Sequence, residues 1–310
     1  MTQFICPKTS RKLIVMMDEL LYEDGTFAYK IVNKIPRFVE IDNYADAFGL
    51  QWNSFPKTQL DSFTNTNISE NRLKLSFGND LKILKGKKIL EAGSGAGRFT
   101  EILLKYGAEV YSFDFSNAVE ANYLNNNQEM LTVFQADIRE IPFPEHFFDY
   151  VLCIGVLQHT PNTWESIRSL FKTLKKGGEL VVDHYIPQVG IYLSLYLVYR
   201  YFIKKYSPDK QLKITNKLTS IWFPIHWKFR KYKIIQALLH RITPINFYYG
   251  EFPLSKELHY EWSRLDTHDR NTDHYKRHIR ISKIGEFLDK IGGHEITAGT
   301  RRPGVASCVK

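Results

Sequence analysis

The most regular pattern in the chain begins at Lys87, where short apolar runs alternate with stretches of helical length. The runs are Lys88 to Glu91, Glu109 to Phe113, Leu131 to Gln135, Tyr150 to Ile154 and Glu179 to Asp183. They are nearly continuous in apolar character, as strands buried on both faces are, and too short for helices. Strand and helix alternation of this kind predicts an α/β fold with a doubly wound, Rossmann-like parallel sheet. The pattern stops after Asp183 and resumes with a helix over Ile281 to Ile291 and strands at Glu295 to Ala298 and Gly304 to Val309. Residues 184–275 therefore read as a large, mostly helical insertion after the fifth strand, with 87–183 and 276–310 forming one core. Ahead of it, residues 1–45 alternate apolar runs with a turn at Glu23-Asp24-Gly25 and predict a small β unit. Residues 46–86, including Leu73, Leu75 and Phe77 after Ser69, predict a helical lead-in to the core.

Composition changes this picture in two places. With 44% hydrophobic and 24% charged residues, and no apolar run long enough to span a bilayer, the chain reads as globular. The N-terminal residues MTQFICPKTSRKL show no apolar stretch ending in small residues, so a cytoplasmic protein is expected, with peripheral attachment to the inner membrane face as an alternative. Cys6, Cys153 and Cys308 are far apart, and neither a disulfide framework nor a metal site is expected from them. The net charge is +9, yet eleven Lys or Arg and a single acid, Asp209, fall between Arg200 and Arg241. That stretch carries the whole excess, and its aromatic and basic mixture around Ile221-Trp222-Phe223 and Trp227 to Tyr232 suits an anionic partner. A phosphate-bearing acceptor, an anionic membrane surface and RNA are the candidates, beside a merely solvated basic face.

The candidate chemistry lies at successive strand ends. In Ile89-Leu90-Glu91-Ala92-Gly93-Ser94-Gly95-Ala96-Gly97-Arg98 an acid closes a strand and three glycines precede a helix. Glycine permits positive φ and close ligand approach. The G-x-G-x-G spacing differs from the dinucleotide G-x-G-x-x-G, and a carboxylate at Glu91 would repel a diphosphate while suiting a cationic ammonium or sulfonium. Asp114 ends the next strand, where a carboxylate accepts both hydroxyls of a ribose. Asp137 ends the third, placed to accept from an adenine amino group. Each acid alone is more often a helix cap or turn residue; three at successive strand ends, with glycines at the first, form one site.

The series LEAGSGAGRF, VYSFDFS, QADIREIPF, FDYVLCIGVLQHT and LKKGGELVV, from Lys87 to Asp183, resembles the class I S-adenosylmethionine (SAM) dependent methyltransferases, of the bacterial group close to the ubiquinone-biosynthesis type. The resemblance implies a seven-strand sheet with an antiparallel last strand and SAM as cofactor. It implies that Glu91, Gly93, Ser94, Gly95 and Gly97 line the methionine part, Asp114 the ribose, and Asp137 with Ile138 the adenine, with Phe115 and Ile154 also contacting the cofactor and Arg72 pairing with the SAM carboxylate. The Cys6-Pro7 start and Ile35-Pro36-Arg37-Phe38 exit are similar to a small ribbon found before many such enzymes and in a tRNA methyltransferase activator. The second cysteine of zinc-bearing versions is missing, so no metal is expected.

Methyl transfer profits from aligning the acceptor and removing its proton. Histidine titrates near neutrality, and two follow the fourth and fifth strands: His159 is the first candidate base and His184 the second. The polar stretch His268 to Arg277 is placed to project into the acceptor pocket. The expected activity is methyl transfer to O or N of a small molecule, such as a nucleotide- or lipid-linked saccharide. RNA methylation through the basic insertion is the alternative, and a non-catalytic SAM-binding or interaction protein the third.

Overall fold

The computed structural model describes residues 4–40, 43, 45–77, 80–187, 194–299 and 304–310. Four short strands open the chain: β1 (Leu13–Met16), β2 (Glu19–Tyr22), β3 (Phe27–Val32) and β4 (Ile35–Arg37). Helices α1 (Asp46–Ser54), α2 (Asp61–Thr64) and α3 (Ile68–Ser76) follow. The expected alternation comes next: β5 (Lys88–Ala92), α4 (Arg98–Lys105), β6 (Glu109–Asp114), α5 (Ala118–Asn126), β7 (Leu131–Gln135), β8 (Phe148–Cys153), α6 (Thr163–Thr173) and β9 (Leu174–His184). Helices α7 (Tyr196–Ile203), α8 (Pro208–Lys228), α9 (Lys233–Ile242) and α10 (Lys256–Thr272) separate β9 from α11 (Ile281–Lys290), β10 (His294–Gly299) and β11 (Gly304–Val309).

Local sequence accounts for these elements. The central strand β5 buries Ile89, Leu90, Glu91 and Ala92 in succession, as a strand with helices on both faces must. In α11 the buried residues Ile281, Ile284, Gly285 and Leu288 recur at helical spacing, so one stripe faces the sheet and the rest faces water. Asn162 caps α6 by accepting from the backbone N–H groups of Trp164 and Glu165.

The sheet is wider than expected. Its order is β1-β2-β3-β4-β7-β6-β5-β8-β9-β11-β10, eleven strands rather than seven among the described residues. The central strands β4 to β9 pair in parallel, and β11 runs antiparallel to both β9 and β10. The four added strands come from the N-terminal β unit, which continues the same sheet. β4 pairs in parallel with β7 at Arg37 and Gln135, covering an edge that would otherwise expose unpaired backbone groups. Phe4 and Phe38 then pack on Phe134 in the main core. The buried Arg37 guanidinium donates to Gln135 at 3.0 Å and pairs with Glu120.

The helices after β9 form their own layer. α10 packs against α7, α8 and α1, and Phe223, Ile245 and Phe247 make a separate small core with Trp222, Trp227 and Tyr260. The aromatic and basic mixture read as a surface is thus largely turned inward. Arg230 stacks on Trp227 and donates to its carbonyl at 2.9 Å. Tyr196 of α7 is likewise buried.

Two buried histidines hold this layer together. His226 contacts Gln236 Oε1 at 2.8 Å and Thr243 Oγ1 at 3.0 Å, and burial pushes its imidazole down to about 4. His268 meets Thr215 Oγ1 at 3.1 Å and is pushed down to about 4 for the same reason. Because the folded values lie below the unfolded one, the unfolded chain binds more protons and stability falls as pH drops below about 6.5. Glu91 and Asp266, whose values are raised, act in the opposite sense, so the useful quantity is a difference between variants. Relative to His226→Gln, the wild type should lose about 1.5 kcal/mol between pH 6.5 and 5 in chemical denaturation. A difference that stays constant with pH would contradict the buried neutral imidazole.

Candidate cofactor and acceptor site

A cavity of about 990 Å³ opens over the carboxyl ends of β5, β6, β7 and β8. Its floor is formed by Gly93, Ser94 and Gly95 after β5, Asp114 and Phe115 at the end of β6, Asp137 and Ile138 after β7, and Ile154 to Val156 after β8. Phe48, Trp52 and Arg72 from the lead-in helices cover one side. Tyr248, Trp262, Asp266 and Asp269 form the opposite wall.

The glycine turn is required by packing. Gly93 and Gly95 have φ of 76° and 53°, and a Cβ on them would meet Val156 at 2.1 Å and Trp52 at 2.8 Å. Gly97 caps α4 outside the cavity, where a Cβ would lie 2.1 Å from Asn122 Oδ1. Asp114 braces the turn: Oδ2 accepts from the Gly95 N–H at 3.0 Å, while Oδ1 accepts from the Ser116 N–H and hydroxyl at 2.8 and 2.7 Å. Burial raises its pKa, so a further donor on the carboxylate would be favourable.

Glu91 is placed differently from expectation. It lies behind the turn and does not line the cavity, because strand alternation points its side chain toward α4. Oε2 accepts from Thr100 and from Ser112 at 2.8 Å, Oε1 has no partner among the described residues, and burial pushes the group up to about 7. Glu91 therefore clasps α4 to β6 and does not face a cationic ligand. Asp137 does line the cavity, but both its oxygens are held by Arg139, whose Nη2 donates to Oδ2 at 2.6 Å.

Arg72 lines the cavity with its guanidinium paired to Asp183 at 2.5 Å. Arg98, which sequence reasoning missed, lies beside it. Its side chain donates to Gln59 Oε1 at 2.7 Å and Ser69 Oγ at 3.2 Å, and no carboxylate among the described residues is within ion-pair distance. Burial and the neighbouring Arg72 lower it to about 9. An unneutralised, partly desolvated guanidinium facing a cavity is a better carboxylate partner than one already paired. The signal was its place directly after the glycine turn.

The two candidate bases separate. β9 continues through His184, so this side chain points to the face away from the cavity; it is buried, with Nδ1 3.0 Å from the Tyr185 carbonyl, and Tyr185 lines the cavity instead. His159, in the turn Leu157–His159, does line the cavity. Its Nδ1 is 3.1 Å from the Tyr275 carbonyl, which only an N–H satisfies, and 3.4 Å from Asp273 Oδ2. That assigns Nε2 as the acceptor nitrogen. Burial lowers its pKa, keeping the ring neutral at pH 7.

The stretch from His268 divides in the same way. Asp269 lines the cavity with one buried oxygen unpartnered, whereas Asp273 is fully buried and takes Arg200, Lys276 at 3.0 Å and His159. His159, Asp269 and Asp273 bring ligand-type atoms within 4.8 Å of one another. A divalent cation there would face the two positive charges already resting on Asp273.

Residues 90–182 match the family model of a methyltransferase domain. The ubiquinone biosynthesis O-methyltransferase of Coxiella burnetii is 30% identical over 113 residues, 36% of this chain and 48% of that protein. The tRNA U34 carboxymethyltransferase of a Sulfurovum species is 31% identical over 135 residues, 41% of this chain and 42% of that protein. The chain thus spans about half the length of the curated relatives it matches. Among solved structures, magnesium protoporphyrin IX methyltransferase from Synechocystis with bound S-adenosylhomocysteine (SAH) aligns over 86% of this chain and 96% of its own, at 14% identity and a TM-score of 0.44. Residues 90–182 are a class I SAM-dependent methyltransferase domain, whose cofactor is SAM.

The residues lining the cavity would fit that cofactor, Arg98 and Arg72 offering guanidinium groups to the amino-acid carboxylate, Asp114 a carboxylate to the ribose, and Phe115, Ile138 and Ile154 apolar surface to the base. Asp114→Ala should weaken SAH binding by roughly 10- to 100-fold in calorimetry, the loss of hydrogen bonds to a charged acceptor. Arg98→Gln should weaken it more than Arg72→Gln. Equal affinity in folded Asp114→Ala, or a larger effect at Arg72, would contradict these placements.

Proposed function

We propose that this chain transfers the methyl group of SAM to a hydroxyl or amine of a small acceptor bound in the same cavity, with His159 as the base. The observation that carries the reading is the His159 ring, fixed through Nδ1 with no hydrogen bond to its acceptor nitrogen among the described residues, in the cavity that also holds Asp114 and the glycine turn. SAM supplies an electrophilic methyl carbon on a sulfonium sulfur. A lone pair of the acceptor oxygen forms the new bond to that carbon as the carbon–sulfur bond breaks toward sulfur. The acceptor proton passes to His159 Nε2, and the imidazolium so formed is supported by the Tyr275 carbonyl and the Asp273 carboxylate. Phe48 and Tyr185 pack their rings on His159 and limit water access. Transfer to oxygen is the reaction named for the ubiquinone-biosynthesis relatives.

The wall opposite the glycine turn supports a saccharide as acceptor. Asp266, accepting from Trp262 Nε1 at 3.1 Å and pushed up to about 6, and Asp269 offer carboxylate oxygens to hydroxyl groups. Tyr248, Phe252 and Trp262 offer ring faces. None of the basic residues between Arg200 and Arg241 lines the cavity. A phosphate or lipid carried by the acceptor would therefore lie outside it, and the anionic character expected of the acceptor belongs to that part.

His159→Ala should bind SAH as the wild type does and lose roughly 10²- to 10⁴-fold in kcat. Because the base works neutral and its pKa is lowered, wild-type kcat/KM should rise with pH below about 6.5 and level off above it. Incubation with methyl-labelled SAM and fractionated cell extract tests the acceptor class. Label in a glycan or lipid-linked glycan supports the saccharide reading, and label in RNA overturns it.

A further inference from the structure

The surface of the helical layer carries apolar side chains that the fold leaves in water. On α7, Leu197, Val198, Tyr201 and Phe202 are exposed, the last two at 62% and 56%, while Tyr196 and Ile203 on the opposite face are buried. At 100° per residue the exposed four fall on one arc, and Lys205 continues it with its ammonium 4.1 Å from the Tyr201 ring centre. On α9, Ile234 and Leu238 are one helical turn apart and exposed at 87% and 58%, and Arg241 follows on the same face. The helices adjoin at their ends: the Leu195 N–H donates to the Arg241 carbonyl at 2.7 Å, and the Ser194 hydroxyl to the same oxygen at 3.1 Å. α7 is anchored from beneath, where Arg200 pairs with buried Asp273.

Exposed aliphatic residues clustered on adjoining helices are unusual for a free surface. Their charge setting is one-sided. Neither 194–206 nor 230–242 contains an Asp or Glu, and Lys204, Lys205, Lys231, Lys233 and Arg241 are exposed around the apolar faces. No helix among the described residues is long and apolar enough to cross a membrane, and α7 and α9 have eight and ten residues. Aliphatic side chains ringed by cations match an acyl layer beneath anionic headgroups. Four of the exposed positions, Leu197, Val198, Ile234 and Leu238, give no ring for a base to stack on, and the rings of Tyr201 and Phe202 beside them suit the headgroup boundary, so the patch as a whole fits lipid better than RNA.

We infer that the outer faces of α7 and α9 form a peripheral membrane-docking surface that seats the protein on an anionic bilayer. The cations of the 200–241 segment that the acceptor cavity leaves unused then meet lipid headgroups. The inference concerns this surface alone and holds whether or not methyl transfer proceeds as proposed.

Sedimentation of the full chain with vesicles tests it, with SAH affinity as the check on folding. The protein should pellet with phosphatidylcholine and phosphatidylglycerol vesicles, remain in solution with phosphatidylcholine alone, and be released by salt. Combined Val198→Ser, Phe202→Ser, Ile234→Ser and Leu238→Ser should lower partitioning by roughly 10²-fold through lost apolar burial. Lys231→Glu with Lys233→Glu should lower it by roughly 10²-fold through charge. Both variants should keep wild-type SAH affinity. No binding to anionic vesicles, undiminished binding by both variants, or capture of single-stranded RNA in place of vesicles would overturn the proposal.

Discussion

The parallel run of β5, β6, β7 and β8 is the constraint on which the site depends. Parallel strands deliver their carboxyl ends to one edge, so residues 20 to 40 positions apart in sequence are forced to converge without any direct contact in the chain. Just past the strand ends, some backbone amides no longer pair within the sheet. Here they are satisfied from side chains at the same edge: Asp114 takes the Gly95 N–H, and Asp183 takes the Gly155 N–H at 2.6 Å. Asp114 is thus structural and, lining the cavity, open to a ligand at once.

A second dependence runs through Asp273. This fully buried carboxylate joins Arg200 of α7, Lys276 and the histidine nearest the acceptor side of the cavity. A buried charge is tolerated only with partners, and this one has cations from two separate segments. The helical layer and the ring of His159 are positioned by the same group, so the segment that presents the outer surface and the segment that handles the acceptor are mechanically linked. Fixing Nδ1 with a carbonyl and a nearby carboxylate also sets which nitrogen accepts a proton.

What was legible in the sequence was what neighbouring residues decide. The strand ends, the glycine turn, Asp114 and the histidine after β8 follow from short-range pattern, and the structure gathers them at one cavity. Side-chain direction was less legible. Glu91 was read as facing the ligand because it precedes the glycines, but its orientation is decided by Thr100 and Ser112, which only the packed sheet brings near. His184 was read as lying past its strand, and one further strand residue turned it to the other face. Asp269 lies in the polar stretch expected at the acceptor pocket, but Tyr248 and Asp266 carry no local signal, since they share a face with it only when α10 packs on α1 and α8. The aromatic-basic stretch differs from expectation for a similar reason: Trp222, Phe223 and Trp227 pack against residues at 245–260, and the apolar residues left exposed lie mainly on the flanking helices, Tyr201 and Phe202 among them.

The proposed cofactor position lies across the strand ends within the cavity, away from the helical layer's outer face. Amide hydrogen exchange with and without SAH measures this most directly. Exchange should slow at Gly93 to Gly97, Asp114 to Ser116, Asp137 to Arg139 and the α3 segment carrying Arg72, with α7 and α9 unchanged. Unaltered exchange at the glycine turn and at Asp114 to Ser116 at saturating SAH, or protection confined to α7 to α9, would contradict it.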